Sequence, residues 1–399
     1  MAGRYDVIVV GARCAGAPTA MLLARKGFRT LVVDRATFPS DANSTLVIHA
    51  PGVAALARWG VLDKVVGTGC PPIGKYSFDF GPVTLSGTPR PVQGNSTAYA
   101  PRRILLDDFL VDAARTAGAE VREGFTVEDL VWEEGTVVGI RGHARGGGTV
   151  TEHARVVVGA DGTNSRVARA VAPARYNEKP PLQSGYYTYW SGLPVEGMEF
   201  YTRPDRGWGA MPTNDGLTLV VVGWPYAERA ANQRDIEGNY RKMFDLAPDF
   251  AARIDAATRE DRFHGAAVPN HFHQPYGPGW ALVGDAGYTK DPITAQGISD
   301  AFLGAERLTE ALDAVFTGTE PFEDAMAAYQ SARDTRAFPI YEFTTQMATL
   351  APPPPEMQQL LGAIQGNQAA MDAFASVIAG TLSPLDFFDP SNIRALLQA

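Results

Sequence analysis

The sequence predicts an α/β fold: a Rossmann-like nucleotide-binding domain, an inserted antiparallel β-sheet domain and a helical C-terminal region. Three observations carry this. Residues 5–34 read as strand, glycine turn, helix, strand and terminal acid. Two later apolar runs, at 154–162 and 280–287, are short, β-branched and end in glycine and aspartate, as strands buried on both faces do. Between them, residues 180–265 turn aromatic and β-branched with period two, so an antiparallel sheet is inserted there.

The first unit contains Gly11, Ala12, Arg13, Cys14, Ala15 and Gly16, with Asp34 closing the second strand. A tight glycine turn lets backbone N–H groups approach a pyrophosphate, and the following helix offers its positive end. An acid about 20 residues on suits a ribose diol and repels a ribose phosphate, which favours FAD or NAD over NADP. The bland alternative is an ordinary strand–helix turn. Arg13 stands where the middle glycine of G-x-G-x-x-G is expected. It is read as a cation beside the pyrophosphate, against a side chain merely tolerated in solvent. Cys14 is read as a space-filler rather than a reactive thiol.

The remaining elements follow in order. A loop spans 35–43 and a helix 51–62. Residues 76–99 alternate apolar and polar, as in Tyr76-Ser77-Phe78-Asp79-Phe80, and read as strands and loops. Leu106, Phe109, Leu110 and Ala113 recur at helical spacing over 103–117, with Gly118 as the stop. Strands at 121–127 and 137–141 follow, and after them a glycine hairpin or loop tip at 146–148. From 299 the chain is helical, interrupted by the stiff proline run 352–355.

Composition narrows the function. The chain of 399 residues carries a net charge of −9 and no basic block, so nucleic acid is not an expected partner. No apolar run is long enough to span a membrane, and no charged leader with a cleavage site opens the chain, so a cytoplasmic location is expected. Two cysteines and six histidines lack metal spacing, so neither a disulfide framework nor a metal site is expected.

Taken together, Gly11 to Gly16 with Asp34, Arg103-Ile104-Leu105-Leu106-Asp107, Asp161-Gly162, and Gly284-Asp285 followed by Asp291-Pro292 and Gln296-Gly297 resemble one family. It is that of the FAD-dependent monooxygenases of the para-hydroxybenzoate hydroxylase type, with their geranylgeranyl-reductase and flavin-halogenase relatives. The resemblance covers about residues 5–310 and implies a discontinuous Rossmann-like FAD-binding domain (1–75, 100–175 and 266–330). A substrate sheet (76–99 and 176–265) and a C-terminal helical region (331–399) complete it. The implied FAD-binding set is Gly11, Arg13, Cys14, Ala15, Gly16, Asp34, Arg35, Arg103, Val127, Asp161, Gly162, Gly284, Asp285, Pro292, Gln296, Gly297 and Ile298. Within it Asp34 holds the ribose, Arg103 reaches the phosphates and ribityl chain, with Arg102 able to swap roles, and Asp285 bonds the ribityl hydroxyls. Hydroxylases of the family often have Ala-His after Gly-Asp, where this chain has Ala286-Gly287-Tyr288, so no role passes to Tyr288.

The substrate side rests on alternation. Tyr187 and Tyr189 share one face; Tyr186, Thr188 and Trp190 share the other. The first pair is taken to line the pocket, with Trp208, Met211, Pro212 and Trp224 as candidate walls, against a plain core role for each. His49 is a candidate proton-transfer group, against a capping or satisfied loop histidine. The halogenase signature Trp-x-Trp-x-Ile-Pro is not matched by Gly207-Trp208-Gly209-Ala210-Met211-Pro212. The resemblance therefore implies a monooxygenase, with NADH or NADPH as a transient hydride donor and oxygen carried at flavin C4a. Its small-molecule substrate is apolar, aromatic or polyketide-like. The alternatives are a reductase of an isoprenoid or polyketide double bond and a non-catalytic FAD-binding scaffold.

Overall fold

The computed structural model describes residues 4–398; residues 1–3 and 399, at the outer ends of the expected first and last segments, lie outside the described residues. The first sheet is centred on Tyr5–Val10, which pairs in parallel with Thr30–Val33 on one side and Thr149–Gly159 on the other. Glu120–Arg122 and Trp280–Leu282 extend the parallel array at its two ends. Val7 and Val9 face a helical layer formed by Gly16–Arg25, Arg103–Thr116 and Gly297–Thr317. Ile8 and Val10 face the antiparallel strands Phe125–Glu133 and Thr136–Ala144 and the helix Arg166–Val171. Both faces are covered, which is why the central strand is apolar at consecutive positions rather than alternating.

Two local departures from the sequence reading shape the site. The helix expected over 51–62 is two helices, Ala50–Arg58 and Leu62–Gly67, because Gly60 takes φ +71° between them. The strand expected over 280–287 stops at Leu282. Gly284 then turns at φ +62° into a single 3-10 turn, Gly284–Ala286, which presents Asp285 sideways.

The second sheet is antiparallel except at one junction. Its central strands are Gln183–Ser191, Leu217–Pro225, Arg206–Pro212 and Met198–Arg203. Met198–Arg203 pairs in parallel with Tyr76–Asp79, whose hairpin partner is Thr84–Gly87. This joins the 76–99 segment to the 176–265 segment in one sheet. Tyr187, Tyr189, Met211 and Leu219 share a core with Phe374 and other residues of the C-terminal helices. Trp190, Trp208 and Trp224 lie on the opposite face with Tyr240, Phe244 and Phe250. The expectation that Trp208 and Trp224 wall the pocket is therefore corrected: the helices Ile236–Lys242 and Pro248–Asp255 cover that face and turn both indoles into core. Among the described residues no helix is long and apolar enough to cross a membrane.

Candidate active site

The glycine turn is built for close approach. Gly11 sits at φ +98°, and a Cβ there would lie 2.6 Å from the Ala160 carbonyl oxygen. A Cβ on Gly16 would lie 1.7 Å from the Gly11 carbonyl oxygen, so the helix start presses directly on the turn. Cys14 and Ala15 are buried within it. Asp34 accepts from the Ala12 N–H through Oδ2 at 2.7 Å and from the Ala36 N–H through Oδ1 at 2.8 Å. A carboxylate offers about four acceptor sites, so room remains for a ribose diol. Arg35 is exposed beside it, and Val127 is buried two residues beyond Phe125, whose N–H donates to the Asp34 carbonyl at 2.8 Å.

Arg13 is held by protein groups. Its guanidinium donates to Asp107, to the Ser40 carbonyl at 3.2 Å and hydroxyl at 2.8 Å, and to the Asp41 carbonyl at 3.1 Å. A fully buried carboxylate and two carbonyls hold this guanidinium by charge-assisted hydrogen bonds. Asp107 is the hub. It lies four residues after Arg103 on one helical face and receives Arg103 Nε at 3.0 Å and Nη2 at 2.9 Å. The Cys14 thiol donates to it at 3.4 Å, and burial pushes the Cys14 pKa up, so this sulfur is an inert filler. The sequence carries one signal for Asp107, its i,i+4 spacing from Arg103.

At the other end, Asp285 is accessible through the cleft while protein crowds its remaining sides. The crowding decides the sign: desolvation raises its carboxyl pKa, with Lys290, Thr163 and Arg103 acting the other way. Its single protein hydrogen bond is from the Thr163 hydroxyl, at 3.4 Å. Gly284 lets the chain pass, since a Cβ there would lie 2.8 Å from Ala15 Cβ. Pro292 and Gly297 are exposed on the following loop, and Ile298 is buried behind it. The Gln296 side chain turns away from the cleft and donates to the Ile378 carbonyl of the C-terminal helices. Asp161 accepts from the Ser165 hydroxyl and from the Arg166 N–H at 2.6 Å, so its carboxylate fastens the Arg166–Val171 helix, and Gly162 at φ +78° opens space beside it. Asp291 is buried, accepts from Gln183 and from the Ile293 N–H, and has no partner for Oδ2; burial pushes its pKa up to about 7.

His49 is fully buried. Its Nδ1 lies 2.6 Å from the Tyr76 hydroxyl and its Nε2 3.0 Å from the Thr294 carbonyl, so it ties the start of Ala50–Arg58 to loop 291–297. Burial pushes its pKa down to about 4. An unfolded histidine takes its proton near 6.5, before the folded one does, so stability falls as pH drops from 6.5 towards 4. His49→Gln should flatten this acid slope in urea unfolding run at several pH values, leaving the shares of His271, also pushed down to about 4, and of His273, which burial likewise lowers. An unchanged slope would mean that His49 titrates freely in the folded protein.

Tyr187 and Tyr189 lie on the face that meets these elements. The Ser44 N–H donates to the Tyr187 hydroxyl at 3.1 Å, and the Arg102 guanidinium sits 4.7 Å from the centre of the Tyr189 ring. Tyr187 and Tyr189 also share a core with Leu46, Val47 and Ala295, so this face packs on the loops before Ala50–Arg58 and around 291–297. His264, unnoticed in the sequence, stacks on Tyr187 at 5.0 Å and 14°.

A tight glycine turn, a free-sided Asp34 at one end and an under-bonded Asp285 at the other fit an FAD, and the fold and site define an FAD-dependent oxidoreductase. The chain belongs to the FAD binding domain family, whose model matches residues 4–344. It is 25% identical over 387 residues to the 12-dehydrotetracycline 5-monooxygenase/anhydrotetracycline 6-monooxygenase of Streptomyces rimosus, covering 90% of this chain and 72% of that one. It is 29% identical over 330 residues to the digeranylgeranylglycerophospholipid reductase of Methanosarcina mazei, covering 79% and 77%. Among solved structures, the flavin-dependent brominase Bmp2 superposes with a TM-score of 0.83 at 18% identity, over 99% of this chain and 98% of that one, a likeness of fold alone.

Proposed function

We propose that the protein is an NAD(P)H-dependent monooxygenase that hydroxylates or epoxidises an apolar aromatic or polyketide-like small molecule. The observation that supports this most is the Arg102 guanidinium, next to Arg103 at the start of the Arg103–Thr116 helix, standing 4.7 Å from the centre of the Tyr189 ring and so tying the substrate sheet to that helix. Bound FAD supplies the hydride-accepting and oxygen-activating chemistry. Asp34 and Asp285 hold its two sugar regions. Asp107 keeps Arg103 aimed along the cleft, and the positive end of the Gly297–Thr317 helix favours negative charge beside loop 291–297. Burial raises the Tyr187 and Tyr189 pKa values, so both phenols stay protonated as donors while their rings exclude water from the substrate. His49, with both nitrogens occupied, positions loop 291–297 rather than exchanging protons with substrate. No second nucleotide-binding unit is built into the described residues, so the pyridine nucleotide visits transiently.

A second reading, reduction of an isoprenoid or polyketide double bond, draws on the similarity to the Methanosarcina reductase. The two are separated by reducing the FAD-loaded protein anaerobically with NADH or NADPH and then admitting oxygen over a metabolite library. A monooxygenase consumes oxygen and yields product heavier by one oxygen atom. Product that gains only two hydrogens, without oxygen uptake, defeats the proposal.

A further inference from the structure

We propose that Asp291 is a positioning residue for the bound flavin: an uncharged acid, clasped between the substrate sheet and loop 291–297, that keeps this loop free of negative charge. The proposal rests on the reduced flavin's charge lying beside that loop, as given under Proposed function, and not on the reaction that follows reduction. Asp291 is 1% exposed, and three segments close on it. Gln183, the first residue of the strand Gln183–Ser191, donates through Nε2 to Oδ1. Ile293 donates its N–H to the same oxygen at 3.0 Å, which caps the Pro292–Thr294 turn. The Asp291 N–H donates to Asn270 Oδ1 at 2.7 Å, and Asn270 Nδ2 donates to the Pro180 carbonyl at 3.0 Å.

Each of these partners is uncharged, and Oδ2 is buried with no partner at all. An ionised carboxylate here would be desolvated, without a cation and with half of its acceptor sites empty, so the neutral acid is the favoured form. The charged side chains on the surrounding elements are engaged elsewhere. Lys290 donates to Asp300 and to the Tyr288 hydroxyl at 2.8 Å. Lys179, upstream of Gln183, donates to Glu342 at 2.8 Å and to the Thr345 hydroxyl at 2.7 Å. His49, which reaches the loop at Thr294, and His271, beside Asn270, are both pushed down to about 4 by burial and are neutral at pH 7. Burial holds the Asp291 carboxyl up to about 7. Asparagine would cap the turn as well; the acid differs in being able to lose a proton. Reduction brings two electrons to the flavin, and the added negative charge holds the Asp291 proton more tightly. Above pH 7, where the carboxyl is largely ionised before reduction, one further proton therefore passes from solvent to Asp291 as the electrons arrive.

The test is the two-electron midpoint potential of the FAD-loaded protein, with Asp291→Asn measured beside wild type. It is read anaerobically against redox dyes between about pH 6 and about pH 8.5, on either side of the expected transition. Substrate, oxygen and pyridine nucleotide are not needed, so the outcome is separate from that of the monooxygenase reading. The two proteins should agree below pH 7. Above it the wild-type potential should fall more steeply by about 30 mV per pH unit, the tenfold effect of one proton per unit converted for two electrons. The wild type should steepen by itself on passing pH 7, which keeps the test open if the variant folds poorly. Infrared difference spectra at about pH 8 should show a carboxylic acid C=O stretch gained on reduction in the wild type and missing from Asp291→Asn. Parallel lines for the two proteins, a wild-type slope that stays constant or flattens, an Asp291→Asn potential below the wild type, or no such stretch would overturn the proposal.

Discussion

Asp107→Ala should destabilise the protein by about 3–5 kcal/mol, the range for removing one partner of a buried ion pair, and should release most of its FAD. The carboxylate is fully buried and receives two arginines and a thiol from two segments, the glycine turn (Arg13, Cys14) and its own helix (Arg103). Removing it leaves Arg103, itself buried, with an uncompensated charge beside the cleft. It also frees Arg13, which pins the Ser40–Asp41 stretch of the loop leading to Ala50–Arg58. The loss is therefore larger than that of an exposed pair, whose removal costs roughly 0–1 kcal/mol. Asp107→Asn keeps an acceptor of the same shape and should lie between wild type and Asp107→Ala. Urea unfolding with FAD released and measured alongside gives both numbers. If Asp107→Ala unfolds like wild type with its flavin retained, the hub described above is not what organises the cleft.

Asp107 also shows what the sequence could and could not disclose. The glycine turn, Asp34 and the two later strand-end aspartates were readable because backbone constraints force glycine and β-branched residues into recognisable order. The sidedness of Tyr187 and Tyr189 against Trp190 was readable because a strand has period two. Which face meets the cofactor side was not, since that depends on helices at 236–255 packing behind Trp208 and Trp224. Arg13 misled for a related reason. Its place in the turn suggested a phosphate partner and gave no hint of Asp107, 94 residues away, because long-range pairing leaves no local signal. Asp161 and Asp285 look alike in sequence, each following a buried strand and a glycine or alanine. Their roles divide only in three dimensions, where Ser165 and Arg166 occupy the first and almost nothing occupies the second.

That division sets the other large expected effect. Asp285→Ala should weaken FAD binding about ten- to a hundredfold, as loss of a charged hydrogen-bonding partner does. The wild-type carboxylate is exposed to the cleft, has one long bond to Thr163, and is raised in pKa by desolvation from the protein around it. A hydroxyl pair can bond this carboxylate without displacing more than one weak protein partner, so its interaction with a ribityl chain costs little internal bonding. The folded protein should lose little stability without flavin, because removing Asp285 breaks almost no internal bond. Asp161→Ala should do the reverse, loosening the Arg166–Val171 helix by about 0.5–2 kcal/mol through lost capping, with the smaller effect on FAD. Thermal unfolding with and without excess FAD distinguishes them, since a ligand stabilises by RT ln(1 + [L]/Kd). Asp285→Ala should keep the apo midpoint and lose most of the FAD-induced rise. Asp161→Ala should lower the apo midpoint and keep the rise. If the two variants exchange these behaviours, the sugar-binding carboxylate is Asp161, and the turn at Gly284 serves only to return the chain into the Gly297–Thr317 helix.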